Sequence, residues 1–284
     1  MARKKQLIIP IFLPFGGCPH RCVFCNQEKI TGRSTLPEIG GVEETIERYL
    51  STWNDGNAGN DGNGGNGAGR KEVAFYGGSF TGLKEDVQEG YLKAAHRFVL
   101  KGEIDALRIS TRPDYIGRDS LEFLKRYNVE IIELGVQSLS DDVLRLSGRG
   151  HDSTDTVRAV TAIKNVDLKV GFQLMPGLPG DTREKIIETA EKTVQLRPDF
   201  VRIYPTLVIR DTPLYRMYLE GRYAPWALSD MVEVLKEVFA GFKEASIPVI
   251  RVGLHHSKEM SDNIVAGPYH PSLRDMLSAR PIPR

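Results

Sequence analysis

Three cysteines in 284 residues are too few for a disulfide scaffold, and they are not spread along the chain. Cys18, Cys22 and Cys25 stand close together, an odd, clustered set that suits metal ligation in a reducing compartment better than cross-linking. Long hydrophobic runs are also missing. The longest nearly apolar stretch, Leu7 to Gly17, is broken by Pro10 and Pro14 and falls far short of the ~20 residues that cross a bilayer. Net charge is nearly absent, with 38 Lys and Arg against 37 Asp and Glu. That excludes a strongly basic nucleic-acid binder held mainly by phosphate neutralisation, though not a local basic patch. Apolar content, about 46% once Gly is counted and Tyr left out, is that of an ordinary globular protein.

The N-terminus has the outline of a lipoprotein leader: Arg3-Lys4-Lys5, then Leu7 to Phe15, then Gly16-Gly17-Cys18. Its apolar part is short and proline-broken, and Phe15 is bulky where a processing site needs a small side chain. The expected location is the cytoplasm, without a membrane anchor. One composition break interrupts the chain, Asn54 to Gly69, with seven Gly and five Asn in sixteen residues. It lacks the Lys-Ser/Thr and the spacing of a phosphate cradle, so it is expected to be a flexible insertion without chemistry.

Elsewhere short β-branched runs alternate with helical periodicity. Expected strands are Leu7–Phe12, Glu72–Tyr76, Leu107–Thr111, Glu130–Gly135, Lys169–Leu174 and Phe200–Pro205. Apolar residues three and four apart mark the intervening helices, with Thr182 and Ser229 at two of their starts. About six βα units predict an α/β fold with parallel strands, a full or partial (β/α) barrel over residues 1–253. Residues 254–284 are expected to be an irregular tail. In such a barrel chemistry gathers after the strands, and unusual residues do follow five of them. They are the cysteine loop, Gly77-Gly78-Ser79-Phe80, Arg112-Pro113-Asp114, Val136-Gln137-Ser138 and Met175-Pro176-Gly177.

The cysteine loop reads Cys18-Pro-His-Arg-Cys22-Val-Phe-Cys25, a C-x3-C-x2-C spacing. Thiolates choose zinc, copper(I) or iron–sulfur clusters. A four-iron cluster takes four ligands, so three cysteines leave one iron open to a non-protein ligand. The competing reading is a closed Cys3His zinc site completed by His20, and a third is a trio of plain surface thiols. His20 lies two residues from both Cys18 and Cys22, which crowds a tetrahedral ion, and there is no distant second ligand cluster.

CPHRCVFC resembles the signature loop of the radical S-adenosylmethionine (radical SAM) superfamily, with Phe24 as its aromatic residue. Tyr76-Gly77-Gly78-Ser79-Phe80-Thr81 is similar to the superfamily's glycine-rich motif, although Ser79 stands where an acidic residue is common. Ser110 to Asp114, Leu134 to Ser138 and Gly171 to Gly180 look like the Elongator protein 3 branch, with looser counterparts among coproporphyrinogen oxidases. The resemblance runs from about Leu7 to Gly253.

It implies a [4Fe–4S] cluster on Cys18, Cys22 and Cys25 whose open iron chelates S-adenosylmethionine. Reductive cleavage would then release a 5′-deoxyadenosyl radical that abstracts hydrogen from a substrate. Phe24, Gly77, Gly78, Ser79, Gln137 and Gln173 are the implied cofactor-binding residues. Arg112, Gln137 and Tyr204 are the catalytic candidates, and Arg112 and Arg202 could meet a carboxylate or phosphate. An external donor of the flavodoxin or ferredoxin type is the implied reductant. A tRNA uridine is the suggested substrate. The chain after Leu254 is too short for the acetyltransferase domain of that branch. The alternatives are a coproporphyrinogen-oxidase-like enzyme on a tetrapyrrole or other small molecule, a non-catalytic haem or cluster carrier, and a zinc-stabilised binding module. His255-His256 is expected to end a strand, and His151 to be a loop residue.

Overall fold

The computed structural model describes residues 6–19, 21–57, 69–254 and 258–278. Residues Arg3 to Lys5, His20, His255 and His256 lie outside the described residues. The elements run, in chain order, β1 Gln6–Leu13, α1 Gln27–Thr31, α2 Ile39–Asn57, β2 Arg70–Gly77, α3 Glu85–Leu100, β3 Ala106–Thr111, α4 Arg118–Lys125 and β4 Val129–Gln137. They continue with α5 Asp141–Leu146, α6 Ser153–Lys164, β5 Lys169–Leu174, α7 Arg183–Leu196, β6 Phe200–Ile203, β7 Val208–Ile209, α8 Pro213–Leu219 and α9 Leu228–Glu244. The last are β8 Val249–Val252, α10 Lys258–Asn263, β9 Ile264–Ala266 and α11 Leu273–Ser278.

Seven parallel strands are hydrogen-bonded in the order β1-β2-β3-β4-β5-β6-β8, the sequential order of a partial β/α barrel. The six expected strands are β1 to β6, and β8 adds a seventh. Its short Val-Ile-Arg-Val run interrupts apolar character with a charge, which weakens its periodic signal. The chain divides into two compact units, residues 1–19, 34–111 and 115–132, and residues 20–33, 112–114 and 133–284. The division falls within β4.

In the first unit β1 and β2 pair with Ile9 beside Val73 and Ile11 beside Phe75, and β2 sets Val73 beside Leu107 and Phe75 beside Ile109 of β3. These side chains are fully buried, each stabilising the unit by roughly 1.5–3 kcal/mol. Val42, Ile46 and Leu50 of α2 repeat every four residues and are buried, as are Tyr91, Leu92, Ala95 and Phe98 of α3. The Phe75 ring meets those of Phe80 and Tyr91 at 5.1 and 6.1 Å. Buried Glu72 is held by Arg108 and Arg70, and Arg70 also bonds Glu130, so the charges inside this unit are paired.

In the second unit Val170, Phe172, Leu174, Val201 and Ile203 alternate along β5 and β6 and are buried. Leu174 and Ile203 share a small cavity with Ile186 of α7 and Leu235 and Val238 of α9, which identifies the helix-covered face of these strands. The opposite face carries the polar residues. Thr182 caps α7 by accepting from the Lys185 N–H, as its sequence position suggests, whereas α9 starts one residue ahead of Ser229.

Two expectations are corrected here. The tail from residue 254 is not irregular: it contains α10, β9 and α11, with Met260 and Leu273 buried and β9 antiparallel to β7. Isolated turns become regular where each finds an apolar or ladder partner. The Asn/Gly-rich segment also begins inside a helix, because α2 extends to Asn57; residues 58–68 lie outside the described residues.

Candidate cofactor and substrate site

The three cysteines are free thiols. Cys18 belongs to the first unit, where its N–H bonds Phe15 O at 3.1 Å. Cys22 and Cys25 belong to the second, joined by a Cys25 N–H to Cys22 O bond of 3.0 Å. The intervening segment is pinned through its backbone: Val23 donates to Ser147 O at 3.1 Å and accepts from the Leu214 N–H at 2.8 Å. Phe24 packs with Val23 against Val208, Leu214 and Tyr223. Asn26 then starts α1 by accepting from the Lys29 N–H at 3.2 Å.

Cys22 is buried, and its Sγ receives a hydrogen bond from Arg149 Nη1 at 3.1 Å. The same guanidinium donates to Gly135 O at 2.6 Å and to His151 Nε2 at 3.2 Å. A buried cation thus faces a sulfur, with its other donors tied to the end of β4 and to a histidine. His151 is a loop residue, as expected, and it is buried. Burial first, and the positive charge of Arg149 second, lower its pKa to about 4 and hold the ring neutral. Neither Arg149 nor the burial of His151 was legible from spacing. The signal was Gly148-Arg149-Gly150, an arginine between two glycines with φ of 63° and 69°.

At the end of β2, in the first unit, Gly78 lies against Gly16. A Cβ on Gly78 would sit 2.0 Å from Gly16 O, and the Ser79 N–H donates to that same oxygen at 2.7 Å. Gly17, at φ +69°, is bound in the same crossing, where a Cβ would sit 2.1 Å from Ser79 O. Gly78, one of the two glycines expected to admit a ligand, is therefore already required by contact between two chain segments. Gly77 has φ 106°, and buried Ser79 bonds the Thr111 hydroxyl at 2.9 Å.

The remaining expected residues separate into three settings. Arg112 is buried and bidentate to Asp114, at 2.9 and 2.8 Å, so its guanidinium is engaged within the chain. Gln137 ends β4 at φ 67°, the left-handed region that costs a non-glycine about 1 kcal/mol. Gln137 lines the helix-side cavity with Ser138, Thr189 and Asp181, and its buried Oε1 has no partner among the described residues. Gln173, Arg202 and Tyr204 meet on the opposite face. Arg202 makes two contacts to Glu133, Nε to Oε2 at 2.9 Å and Nη2 to Oε1 at 3.1 Å. Gln173 Nε2 reaches Glu133 Oε2, and Arg202 Nη1 reaches the Tyr204 hydroxyl, each at 3.5 Å. Arg202, like Arg112, answers an internal carboxylate, a pairing set by strand register and invisible in either segment alone.

The loop after β5 is clamped from two sides. Asp181 Oδ2 accepts from the Gly177 N–H at 2.8 Å, and the Tyr223 hydroxyl donates to Gly177 O at 2.6 Å. Burial outweighs the backbone donors from Gly177 and Thr182 and raises the Asp181 pKa to about 6.

Soft donors are what an iron–sulfur cluster requires, and the three unbridged thiols, one facing a guanidinium, fit that requirement. Among the described residues no three His, Cys, Asp or Glu side chains converge on a single metal ion. A cubane differs in taking each thiolate at a separate iron. No helix among the described residues is long and apolar enough to cross a membrane.

A family model described as the radical SAM superfamily matches residues 12–193, and one described as the radical SAM C-terminal domain matches residues 198–280. The tRNA uridine(34) acetyltransferase of Methanocaldococcus jannaschii is 29% identical over 255 residues, covering 77% of this chain and 46% of its own length. Elongator complex protein 3 of Saccharomyces cerevisiae is 31% identical over 190 residues, covering 60% of this chain and 34% of its own. The chain therefore spans about half the length, or less, of these curated relatives. Among solved structures, the archaeal Methanocaldococcus infernus Elp3 shares the fold with a TM-score of 0.73 at 21% identity, covering 97% of this chain and 62% of its own. Coproporphyrinogen III oxidase from Escherichia coli does so with a TM-score of 0.57 at 18% identity, covering 85% and 54%.

Proposed function

Because the chain belongs to the radical SAM superfamily of enzymes, whose cofactors are a [4Fe–4S] cluster and S-adenosylmethionine, we propose that it is an Elongator-protein-3-like radical enzyme acting on a tRNA uridine. The observation that carries this reading is the C-x3-C-x2-C segment inside the matched stretch, three unbridged thiols with the Arg149 guanidinium on the middle sulfur. The likeness to the tRNA uridine(34) acetyltransferases supports the choice of substrate.

Cys18, Cys22 and Cys25 would hold the cluster. When bound, the cluster and S-adenosylmethionine supply one-electron chemistry that ends in hydrogen abstraction from the substrate. The chain's own part is to bind, orient and exclude water. Arg149 fixes the Cys22 side chain and presents a permanent positive charge to its sulfur. Phe24, anchored against Val208 and Leu214, stiffens the segment between two ligands. Gly77, Gly78 and Ser79 are assigned to the methionyl end of S-adenosylmethionine through their backbone, and Gln137 and Gln173 to its ribose. Arg112, Gln137 and Tyr204 are the candidates for contact with the reacting groups. The electron would come from a flavodoxin- or ferredoxin-type donor.

Protein purified and reconstituted without oxygen should bind four irons per chain, absorb in the visible, and form 5′-deoxyadenosine faster when tRNA is added. Cys22→Ala should lose both absorbance and product. Retention of the cluster in that variant overturns the ligand assignment. Stimulation by a tetrapyrrole and not by tRNA overturns the substrate.

A further inference from the structure

Buried Glu133 is a carboxylate to which Arg202 is joined on the polar face of β4, β5 and β6. That face carries a second guanidinium. Arg251 of β8 is the Cα register partner of Arg202 on β6, next to a register shift between Val201 and Arg202, so the two arginines stem from adjacent backbone positions on strands roughly 4.8 Å apart. Like charges in directly neighbouring positions oppose each other. Arg202 is neutralised by its two contacts to Glu133. Arg251 is not: its Nε donates to Gly253 O at 3.3 Å, and among the described residues nothing pairs its two terminal nitrogens. The side chain is half-buried, and its register partner Arg202 donates to the Tyr204 hydroxyl at 3.5 Å. A permanent cation on a half-buried face, held at one nitrogen with its terminal fork left over, suits a bidentate oxyanion.

We propose that Arg251, flanked by Arg202 and Tyr204, forms a subsite for one anionic group of the substrate, a phosphate of RNA. The RNA part rests on the function proposed above; the oxyanion subsite rests on the geometry alone. Arg202 supplies positive potential while remaining on Glu133, and the Tyr204 hydroxyl, which accepts from Arg202 Nη1, keeps its own proton to donate. Arg251 was not among the sequence-based candidates. The pairing of β6 with β8 gives it its neighbours.

The test measures binding of an unmodified tRNA transcript to the reconstituted full chain by anisotropy across a salt series, for wild type, Arg251→Gln and Arg251→Lys. Loss of one phosphate contact should weaken binding by about tenfold in Arg251→Gln and reduce the slope of log K against log salt by about 0.7 to 0.9. Arg251→Lys, which keeps the charge, should retain the slope. Circular dichroism and iron content report folding, and the sparse contacts of Arg251 predict both variants to be folded. Equal affinity and slope in wild type and Arg251→Gln overturns the subsite. Absence of tRNA binding by wild type overturns the RNA reading instead. The subsite is then tested with inorganic phosphate and with citrate, as shifts in Tm. A rise in wild type lost in Arg251→Gln supports it for whichever ion acts, and equal shifts in both proteins, or none, overturn it.

Discussion

Buried His151 and half-buried Asp181, both in the second unit, push stability in opposite directions. His151 is held neutral, its pKa lowered to about 4 first by burial and then by Arg149. Its contribution is complete above the unfolded value near 6.5 and is lost as pH falls toward 4. Asp181 has its pKa raised to about 6 by burial, so it favours the protonated acid. Its contribution is complete below the unfolded value near 3.9 and is lost as pH rises through 6. Each effect is worth about 3 kcal/mol over its window. Asp181→Asn removes one arm of this opposition. Chemical denaturation at several pH values should show the variant gaining on wild type by about 3 kcal/mol between pH 4 and pH 7. A difference that does not change with pH means that the Asp181 carboxyl is not held in the buried setting described.

Among the elements, the crossing of the β1 and β2 ends is the tightest backbone contact near the candidate site. Gly78→Ala would place a methyl 2.0 Å from Gly16 O, and neither atom can move without shifting a strand end. The expected loss is upwards of about 3 kcal/mol, or failure to fold. Gly102→Ala is the control: its φ of +72° is strained for alanine, yet nothing lies within 4 Å, so about 1 kcal/mol should be lost. Comparable losses in the two variants would falsify the close-approach argument. At this scale much was legible beforehand. Strands β1 to β6 were marked by β-branched runs, and Thr182 by its hydroxyl ahead of a helical pattern. The start of α9 was displaced because its first-turn Ser229 looks like a cap while Ala227, with extended backbone, occupies that position. Strand β8 stood outside the six βα units, although a strand was expected to end at His255-His256, because four residues with a central arginine carry little periodicity.

For the whole molecule, β7 and β9 join residues far apart in sequence, and α11 packs on α9 and β8. Truncation after Leu254 would strip β7 of its ladder and leave the sites of Met260 and Leu273 empty. Loss of those two side chains alone removes roughly 3–6 kcal/mol of burial. The truncated chain should melt at a clearly lower temperature. An unchanged Tm means that this segment is a passive extension, as the sequence had suggested.

The amino-acid sequence by itself determined the alternation of strand and helix, the thiol loop with its C-x3-C-x2-C spacing, and the likeness to the radical SAM superfamily. Each is a property of neighbouring residues: periodicity sets which face is apolar, and spacing sets which donors share a loop. The tertiary structure decided how the charges are answered. Arg112 is matched by Asp114 and Arg202 by Glu133, Gln137 lines the helix-side cavity, and Arg251 becomes the register partner of Arg202. Except for the Arg112 pair, these outcomes depend on strand register and backbone conformation across segments tens of residues apart. Electrostatic pairing is a matter of distance in space, which no local pattern encodes.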